Sequence, residues 1–357
     1  MKERLLEIIV CPRCGNVFKL KESVVIGKEI DSGVLKCVSC GDEYKISKGI
    51  PRIVDQEKLT KDYSLNFEMY WLKMNWHYPE MTRKRFYELN EWSQEDVKGK
   101  FVFDASCGGG RWTYQFAAEG AKEIIAVDHS LAIERAKEIC AAFDNIHFIQ
   151  ADLLMLPLPN DIFDIVHCHG ALHHIPDMNE ATRQISLRVK PDGEFTINVF
   201  RNITPPQKFI DDILCGIVKR LPLKVAYYWA MIPTLFEYVP FAVPIFENVV
   251  HLSAQPNFTL KLLHNFDWYS SKYRYRTSEK EAKKLFSELG FKDIKILDTN
   301  TFRVQSRFKT MRKIKQNLLE KGFFLKGTLG IRGRSRIAGN LGASGREEKS
   351  LPIGIRA

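Results

Sequence analysis

The arrangement of apolar and polar positions changes along the chain, and its most regular part lies between residues 97 and 200. There, short and nearly continuous apolar runs alternate with stretches whose apolar residues recur at helical spacing. Such runs predict parallel strands that are buried between two layers of helices. Ser130 is the expected N-cap of the second helix, and Pro-Asp-Gly at 191–193 is the expected turn into the fifth strand. The predicted strands are 101–106, 123–128, 146–152, 164–170 and 194–200, and the predicted helices are about 111–119, 130–143 and 177–189.

The alternation returns after residue 268. Ser278 and Glu281 have the spacing of a capping box at the start of a helix, and Gly290 is typical of a helix end. Two strands, 293–299 and 301–308, follow with almost no link between them, which forces them to pair antiparallel. The predicted fold class is α/β, a doubly wound sheet of seven strands whose last strand is antiparallel, over residues 97–308.

Three other segments lack this rhythm. Residues 1–55 contain short strands between turns and are expected to form a small separate domain. Residues 56–96 are rich in aromatic and charged residues and predict connecting helices whose rings pack on the next domain. Residues 201–268 are apolar and aromatic but are interrupted by seven prolines, which argues against a membrane-spanning helix. We expect short helices there that form a lid inserted after the fifth strand, over an apolar ligand pocket.

Charge is unevenly distributed along the chain. The net charge is +10, and the residues from Arg303 onwards carry 14 Lys and Arg but only 3 Asp and Glu. Residues 309–357 are therefore predicted to be a basic, disordered tail. Such a tail can be a plain solvated segment, or it can attract RNA or an anionic surface. The first residues lack the apolar run and cleavage site of a signal peptide and no transmembrane segment is predicted, so we expect a cytoplasmic protein. No feature of the sequence sets its oligomeric state.

Half of the eight cysteines form two C-x-x-C pairs, Cys11 with Cys14 and Cys37 with Cys40, and each pair is followed by glycine. Two such turns place four thiolates at the corners of a tetrahedron, which is the geometry that Zn²⁺ prefers. A closed four-cysteine site leaves no position for water. The sequence therefore predicts a structural, noncatalytic zinc site in a zinc ribbon at residues 1–55.

The first predicted strand runs into three consecutive glycines at 108–110, which let a ligand approach bare backbone N–H groups at the start of a helix. The loop lacks the G-K-[ST] of a P-loop, and Thr113 stands where a dinucleotide fingerprint has Gly or Ala. Both phosphate hypotheses are weakened. Asp104, Asp128 and Asp152 end three successive strands, and carboxylates at this sheet edge suit a ligand with a ribose, an adenine and positive charge. S-adenosylmethionine has these groups and no phosphate.

The stretch FVFDASCGGGR resembles the first motif of class I S-adenosylmethionine-dependent methyltransferases, normally Asp-x-Gly-x-Gly-x-Gly. The segments IIAVDHS, QADLLMLPLPNDIFDIVHCHGALHHIPD and LRVKPDGEF resemble the later motifs of the type 11 branch. The resemblance implies a Rossmann-like methyltransferase sheet. It departs from the family at Ser106, where the first glycine is usual. The cofactor-binding residues that it implies are Asp104, Ser106, Gly108, Gly110, Asp128, His129, Asp152, Leu153 and His169.

Other residues near the expected methyl group are candidates for a role in the reaction. His173 or His174 is a candidate general base, although a structural role for these imidazoles stays open. The segment FDWYSSKY, at 266–273, is similar to one that this branch often carries after the insertion. Trp268, Tyr269 and Tyr273 are therefore expected to line the acceptor pocket, with packing of lid on core as the alternative.

Residues 1–55 resemble the zinc ribbons of the small activator subunit that partners tRNA and translation-factor methyltransferases. Three hypotheses follow for the whole chain. The first is a methyltransferase that uses S-adenosylmethionine and methylates a small-molecule or lipid-like acceptor under the lid. The second is an RNA (tRNA or rRNA) methyltransferase whose ribbon and basic tail contact RNA. The third is a noncatalytic, cofactor-binding partner of another methyltransferase.

Overall fold

The structure is a computed structural model that describes residues 1–54, 79–200, 202–239, 251–253, 257–297 and 301–305. The predicted tail at 309–357 lies outside the described residues, as does most of the predicted helical linker.

The strands of the described residues form one continuous sheet. They are β1 Phe18–Ile26, β2 Glu29–Cys37, β3 Glu43–Ser47, β4 Ile50–Ile53, β5 Phe101–Ala105, β6 Glu123–Asp128, β7 Ile146–Ala151, β8 Phe163–His169, β9 Val189–Asn198, β10 Ile294–Ile296 and β11 Thr301–Gln305. Their order across the sheet is β1-β2-β3-β4-β7-β6-β5-β8-β9-β11-β10.

Seven of these strands, β5 to β11, are those that the sequence predicts. Strands β7, β6, β5, β8 and β9 run parallel, whereas β11 pairs antiparallel with β9 and β10 pairs antiparallel with β11. The prediction of a doubly wound sheet with an antiparallel last strand is confirmed. The order reverses between β5 and β8, which places the ligand crevice of such a sheet at the ends of those strands.

The helices of the described residues lie before, between and after the strands of the main sheet along the chain. They are α1 Pro79–Asn90, α2 Gln94–Val97, α3 Arg111–Ala118, α4 Ala132–Ile139, α5 Met178–Ser186, α6 Pro205–Val218, α7 Leu223–Trp229, α8 Met231–Phe236, α9 Phe258–Ser270 and α10 Glu279–Glu288, with 3-10 turns at Glu3–Glu7 and Leu172–His174. Phe86 and Trp92, in and after α1, are buried against Phe116 of α3, as expected for the aromatic residues of the linker.

The N-terminal ribbon is joined to the main sheet rather than standing apart from it. Strands β1 to β4 pair antiparallel with one another, and β4 then pairs parallel with β7 through Arg52 opposite Gln150 and Ile53 opposite Ala151. Residues 1–55 are predicted to form a small separate domain, and β4 is not predicted. The four residues of β4, Ile50–Ile53, are all buried, so they show no alternation of buried and exposed positions that would mark a strand.

Arg52 fixes this junction with polar contacts in a buried setting. Its guanidinium donates to Gln150 Oε1 at 3.1 Å, to Ser47 O at 3.2 Å and to Glu134 Oε1 at 2.7 Å. Lys48 contributes a second cation to Glu134 at 2.6 Å. The side chain of Arg52 is only 8% exposed, so these bonds satisfy a charge that would otherwise be costly to bury.

Three local predictions are wrong. Helix α4 begins at Ala132 with Leu131 as its N-cap, and the Ser130 hydroxyl, one residue earlier, donates to Asp128 and accepts from the Ala132 N–H. The Pro-Asp-Gly segment lies inside β9 because β8 pairs with that strand through an irregular register. Helix α5 ends at Ser186, three residues early. The capping box of Ser278 and Glu281 is confirmed.

The 201–268 insertion contains α6, α7, α8 and most of α9, as the prolines predict. Helices α6 to α8 pack on α9 around a small core, whose buried members are Cys215, Val218, Ala226, Ala230, Leu262, Phe266 and Tyr269. Among the described residues, no helix combines the length and the apolar character needed to cross a bilayer.

We predict that Arg52→Met lowers the free energy of unfolding by about 2 kcal/mol, because Gln150 and Glu134 lose a buried donor. Urea denaturation measures the change. The control is Lys36→Met, which removes an exposed pair with Glu43 and should cost less than about 0.5 kcal/mol. Equal losses for the two variants would show that Arg52 does not hold the junction.

Candidate functional site

The site is organised around the loop between β5 and α3. Ser106, Gly108 and Gly110 all have positive φ, at 59°, 55° and 85°. This backbone strongly favours glycine, so Ser106 adopts the left-handed conformation that the usual family glycine would adopt more easily. The substitution at 106 therefore preserves the path of the loop at a cost in strain of about 1–2 kcal/mol.

Gly110 is required by space as well as by its φ. It is the N-cap of α3, and a Cβ built on it would lie 2.8 Å from Ala136 Cα and 2.9 Å from Ala136 Cβ. Helix α4 thus crosses directly against the loop. This close approach brings the loop and the tip of β6 together.

Asp128, at the end of β6, holds the loop from the side. One of its carboxylate oxygens accepts a bond from Gly108 N at 2.8 Å, and the other accepts from Ser130 N at 2.8 Å and Ser130 Oγ at 2.7 Å. Burial raises the pKa of Asp128 above its ordinary value, and these three bonds oppose that shift. A carboxylate has about four lone pairs and three of them are used, so Asp128 retains capacity to accept one ribose hydroxyl.

Asp104 lies near the end of β5, where a contact with the cofactor is expected, but both of its carboxylate oxygens bond to protein side chains. Its oxygens are bonded to Thr113 Oγ1 at 2.6 Å and to His167 Nδ1 at 3.0 Å, and its side chain is 1% exposed. The carboxylate therefore ties α3 and β8 to β5. Direct contact between Asp104 and a cofactor is not supported by this geometry, because the side chain is enclosed by protein. Thr113 and His167 are the partners that the sequence analysis does not identify as part of the site.

The tip of β7 carries the residues expected at the adenine edge. Asp152 Oδ1 accepts from Leu154 N at 2.9 Å and so shapes the turn, while Leu153 is buried. The carbonyl of His129 accepts from Gln150 Nε2 at 2.9 Å, which links this turn to the end of β6. The structure brings the tips of β6 and β7 together, as the parallel order predicts.

His169 ends β8 beside the loop and is partly exposed. Desolvation of the ring by the surrounding protein, with the nearby guanidinium groups of Arg111 and Arg85, holds the pKa of His169 well below its ordinary value. It is therefore a neutral imidazole at physiological pH. Gly170 follows with a φ of 73°, and a Cβ built on it would meet no atom of the described residues within 4 Å, so this part of the structure leaves the strand tip open.

His173 and His174 are enclosed rather than open to the crevice, at 1% and 3% exposed. His174 Nδ1 lies 2.9 Å from the carbonyl of Tyr273, and His173 stacks on Phe200 with ring centroids 3.6 Å apart. Burial lowers the pKa of His174 to about 3 and that of His173 well below its ordinary value. These contacts give both rings a structural role. A general base at either position stays a prediction.

A column of stacked rings connects the end of β9 with the lid. Trp268 packs on Phe200 at 4.5 Å between centroids and stacks nearly parallel on His251 at 3.7 Å. Tyr269 is buried and donates to the carbonyl of His251 at 2.8 Å, and Tyr273 is half-buried. Trp268 thus packs the insertion on the core, whereas Tyr269 packs within the insertion, and a role of these residues and Tyr273 in acceptor binding stays a prediction. His251 is a member of this column that the sequence analysis did not identify.

A buried cluster of charged side chains lies against Trp268. Asp211 of α6 accepts from Trp268 Nε1 at 2.8 Å and from Arg274 Nη2 at 2.5 Å, and it also pairs with Arg276. Arg274 lies over the Trp268 ring, 4.7 Å from its centroid. Two cations on one buried carboxylate fasten α6 to the segment that enters α10.

The four predicted zinc ligands lie together in the ribbon. The sulfur atoms of Cys11, Cys14, Cys37 and Cys40 lie within 4.8 Å of one another. Sulfur atoms about 2.3 Å from a tetrahedral Zn²⁺ are about 3.8 Å apart, so the spacing fits this ion. A hydrogen bond from the Asn16 backbone lowers the pKa of Cys14 to about 6, which favours the thiolate that a metal needs.

The crevice of this α/β domain is formed by the glycine loop, the carboxylate at the tip of β6 and the open tip of β8. These groups suit a nucleoside that carries no phosphate.

Comparison with known family models supports a methyltransferase domain. Residues 96–262 match the family model described as a methyltransferase domain, and residues 2–49 match the model described as Trm112p-like protein. The chain therefore carries a methyltransferase domain behind a Trm112p-like domain, as the resemblance predicts.

Individual relatives are similar over parts of the chain. The Bacillus subtilis methyltransferase YcgJ is 32% identical over 104 residues, which cover 27% of this chain and 39% of that protein. Demethylmenaquinone methyltransferase of Bacillus licheniformis is 24% identical over 200 residues, covering 55% of this chain and 72% of that protein. The structure of Burkholderia thailandensis 1,6-didemethyltoxoflavin-N1-methyltransferase is similar with a TM-score of 0.43 at 15% identity, over 80% of this chain and all of that one.

We predict that Gly110→Ala destabilises the protein by at least about 2 kcal/mol more than Gly99→Ala. Both glycines have positive φ, but a Cβ at Gly99 would meet no atom within 4 Å, whereas one at Gly110 would overlap Ala136. The difference therefore isolates the contact between the loop and α4. Thermal and urea unfolding of both variants measure it, and similar losses would contradict the steric argument.

Zinc content is expected to depend on the cysteine cluster alone. Replacing Cys14 and Cys40 by Ser should reduce bound zinc from about one ion per chain to near zero, because two thiolates cannot complete the tetrahedron. It should also lower the melting temperature. Zinc is measured by a colorimetric chelator after unfolding. Cys140→Ala, which removes a buried thiol outside the cluster, is the control and should retain the metal.

Proposed function

We propose that this protein is an S-adenosylmethionine-dependent methyltransferase whose acceptor is a small, apolar molecule. The observation that carries the proposal is the loop at 106–110, held by Asp128 through the Gly108 N–H at 2.8 Å. This contact leaves bare backbone at the start of α3 and a carboxylate at a strand tip, which suits an adenosyl group and its ribose. The match of residues 96–262 to a methyltransferase domain supports the same cofactor.

The cofactor supplies a methyl group that its sulfonium already activates. This chain would bind and orient that group. Asp128 would accept a ribose hydroxyl, the turn at Asp152 and Leu153 would border the adenine, and His169 would lie at the strand tip nearest the acceptor. Positioning the two reactants is worth up to about 7–11 kcal/mol of the barrier, so the proposed reaction does not require a general base when the acceptor is already deprotonated.

An apolar acceptor is favoured by the surroundings of this crevice. Trp112 lies 5.0 Å from His169 between ring centroids, and the column of Phe200, Trp268 and His251 borders the lid. Aromatic walls with few polar groups are typical of pockets for small apolar ligands. Relatives named as quinone methyltransferases, such as the Bacillus licheniformis protein, support an aromatic ring as the acceptor.

We predict that Asp128→Asn weakens binding of S-adenosylhomocysteine by about 10–100-fold. The amide loses one acceptor oxygen, so either Gly108 N–H or the ribose hydroxyl loses a partner. Calorimetry on the zinc-loaded full chain measures the affinity. Asp144→Asn, an exposed substitution with the same change of charge, should leave the affinity unchanged. Heat on addition of a phosphate-bearing dinucleotide, with none for S-adenosylhomocysteine, would contradict the proposed cofactor.

The acceptor class is tested by transfer of a radiolabelled methyl group into cell extract. We expect the label in the organic-soluble, small-molecule fraction. Label in RNA would instead support the alternative of an RNA methyltransferase. Binding of the cofactor with no label in any fraction would support the noncatalytic hypothesis. Asp128→Asn is the control and should abolish labelling.

A further inference from the structure

The lid helices expose an unusual concentration of large apolar side chains. Ten of the nineteen such side chains that are exposed among the described residues lie within residues 202–239. They are Phe209, Ile213, Ile217, Val225, Tyr228, Ile232, Leu235, Phe236, Tyr238 and Val239, which are between 47% and 68% exposed. We call these ten residues the outer lid face. Single exposed apolar residues are ordinary on a protein surface, but such a concentration in one segment points to an interaction surface.

The outer lid face is distinct from the faces that hold the lid together. In α6, Phe209, Ile213 and Ile217 follow one another at intervals of four and form one stripe, whereas Cys215 and Val218 are buried. Helices α6, α7 and α8 each pack on α9 with their buried residues. Each helix is therefore apolar on two sides, and within the described part of the chain only one of those sides packs on α9.

Charge at the margin of this face indicates the kind of partner. The exposed cations of residues 202–239 are Lys208, Lys219, Arg220 and Lys224, and the exposed acid is Asp212, which pairs with Lys208 at 2.6 Å. The other two acids of this segment, Asp211 and Glu237, are buried in ion pairs. The surface is thus apolar with a positive margin.

We propose that the outer lid face docks on the surface of an anionic lipid bilayer. Short amphipathic helices with large apolar residues on one face and lysines beside them lie in the headgroup region of such membranes. Asp212 neutralises Lys208, so Lys219, Arg220 and Lys224 leave a net positive charge that complements anionic lipid headgroups. The surface lies outside the proposed cofactor crevice, and the proposal does not depend on methyl transfer.

Cosedimentation of the zinc-loaded full chain with vesicles tests this surface. The vesicles contain phosphatidylcholine alone or with phosphatidylglycerol. The variant combines Phe209→Ser, Tyr228→Ser and Leu235→Ser, one residue from each helix. The matched control combines Val24→Ser, Val25→Ser and Ile26→Ser, three residues of similar exposure on β1 of the ribbon. Both variants retain the basic tail and the same net charge.

We expect the wild type and the control to bind vesicles containing phosphatidylglycerol, and the lid variant to bind about 100-fold more weakly. The difference should persist in salt that screens the tail. Unchanged binding of S-adenosylhomocysteine by the lid variant would show that it is folded. Equal vesicle binding by the lid variant and the wild type would overturn the proposal. So would a wild-type dimer that the lid variant dissociates while its vesicle binding is unchanged, since the face would then join two copies.

Discussion

The parallel pairing of β4 with β7 is the contact on which the arrangement of this chain depends. Without β4, strand β7 would be the edge of the main sheet, and edge strands are prone to pair with other chains. Two register pairs and the bonds of Arg52 to Gln150 and Glu134 close that edge. Because β7 leads directly into Asp152, the ribbon also stabilises the strand whose tip borders the proposed adenine position. A domain without any expected catalytic residue thus supports the geometry of the crevice.

Most of the main sheet could be predicted from the sequence, since its strands are apolar runs between helices of clear periodicity. Strand β4 could not, because its pairing with β7 joins segments that are almost a hundred residues apart and its short length carries no pattern. Ser130 shows a similar limit. It is the expected N-cap, but its hydroxyl bonds both to Asp128 and to the Ala132 N–H, and the helix begins after Leu131. The sequence predicts that Ser130 makes a local hydrogen bond, but it does not predict the residue at which the helix begins.

For the candidate site, too, the sequence predicts the positions of residues better than their contacts. The positions of Gly108, Gly110 and Asp128 could be predicted from spacing, because parallel strands bring their ends to one edge. The contacts of Asp104 could not, since Thr113 and His167 reach it from a helix and a distant strand. The N–H groups of Cys107, Gly108 and Gly110 already bond to protein acceptors, which fix the path of the loop. The cradle is therefore formed before any ligand arrives, which reduces the entropy that binding must overcome.

Covalent continuity between the ribbon and the main domain changes the thermodynamics of their association. Strands β4 and β7 belong to one polypeptide, so their pairing is unimolecular and independent of protein concentration. Two separate subunits would dissociate on dilution, whereas tethered partners behave as if each were present at millimolar levels. The ribbon is consequently present in fixed one-to-one stoichiometry with the domain on which it packs.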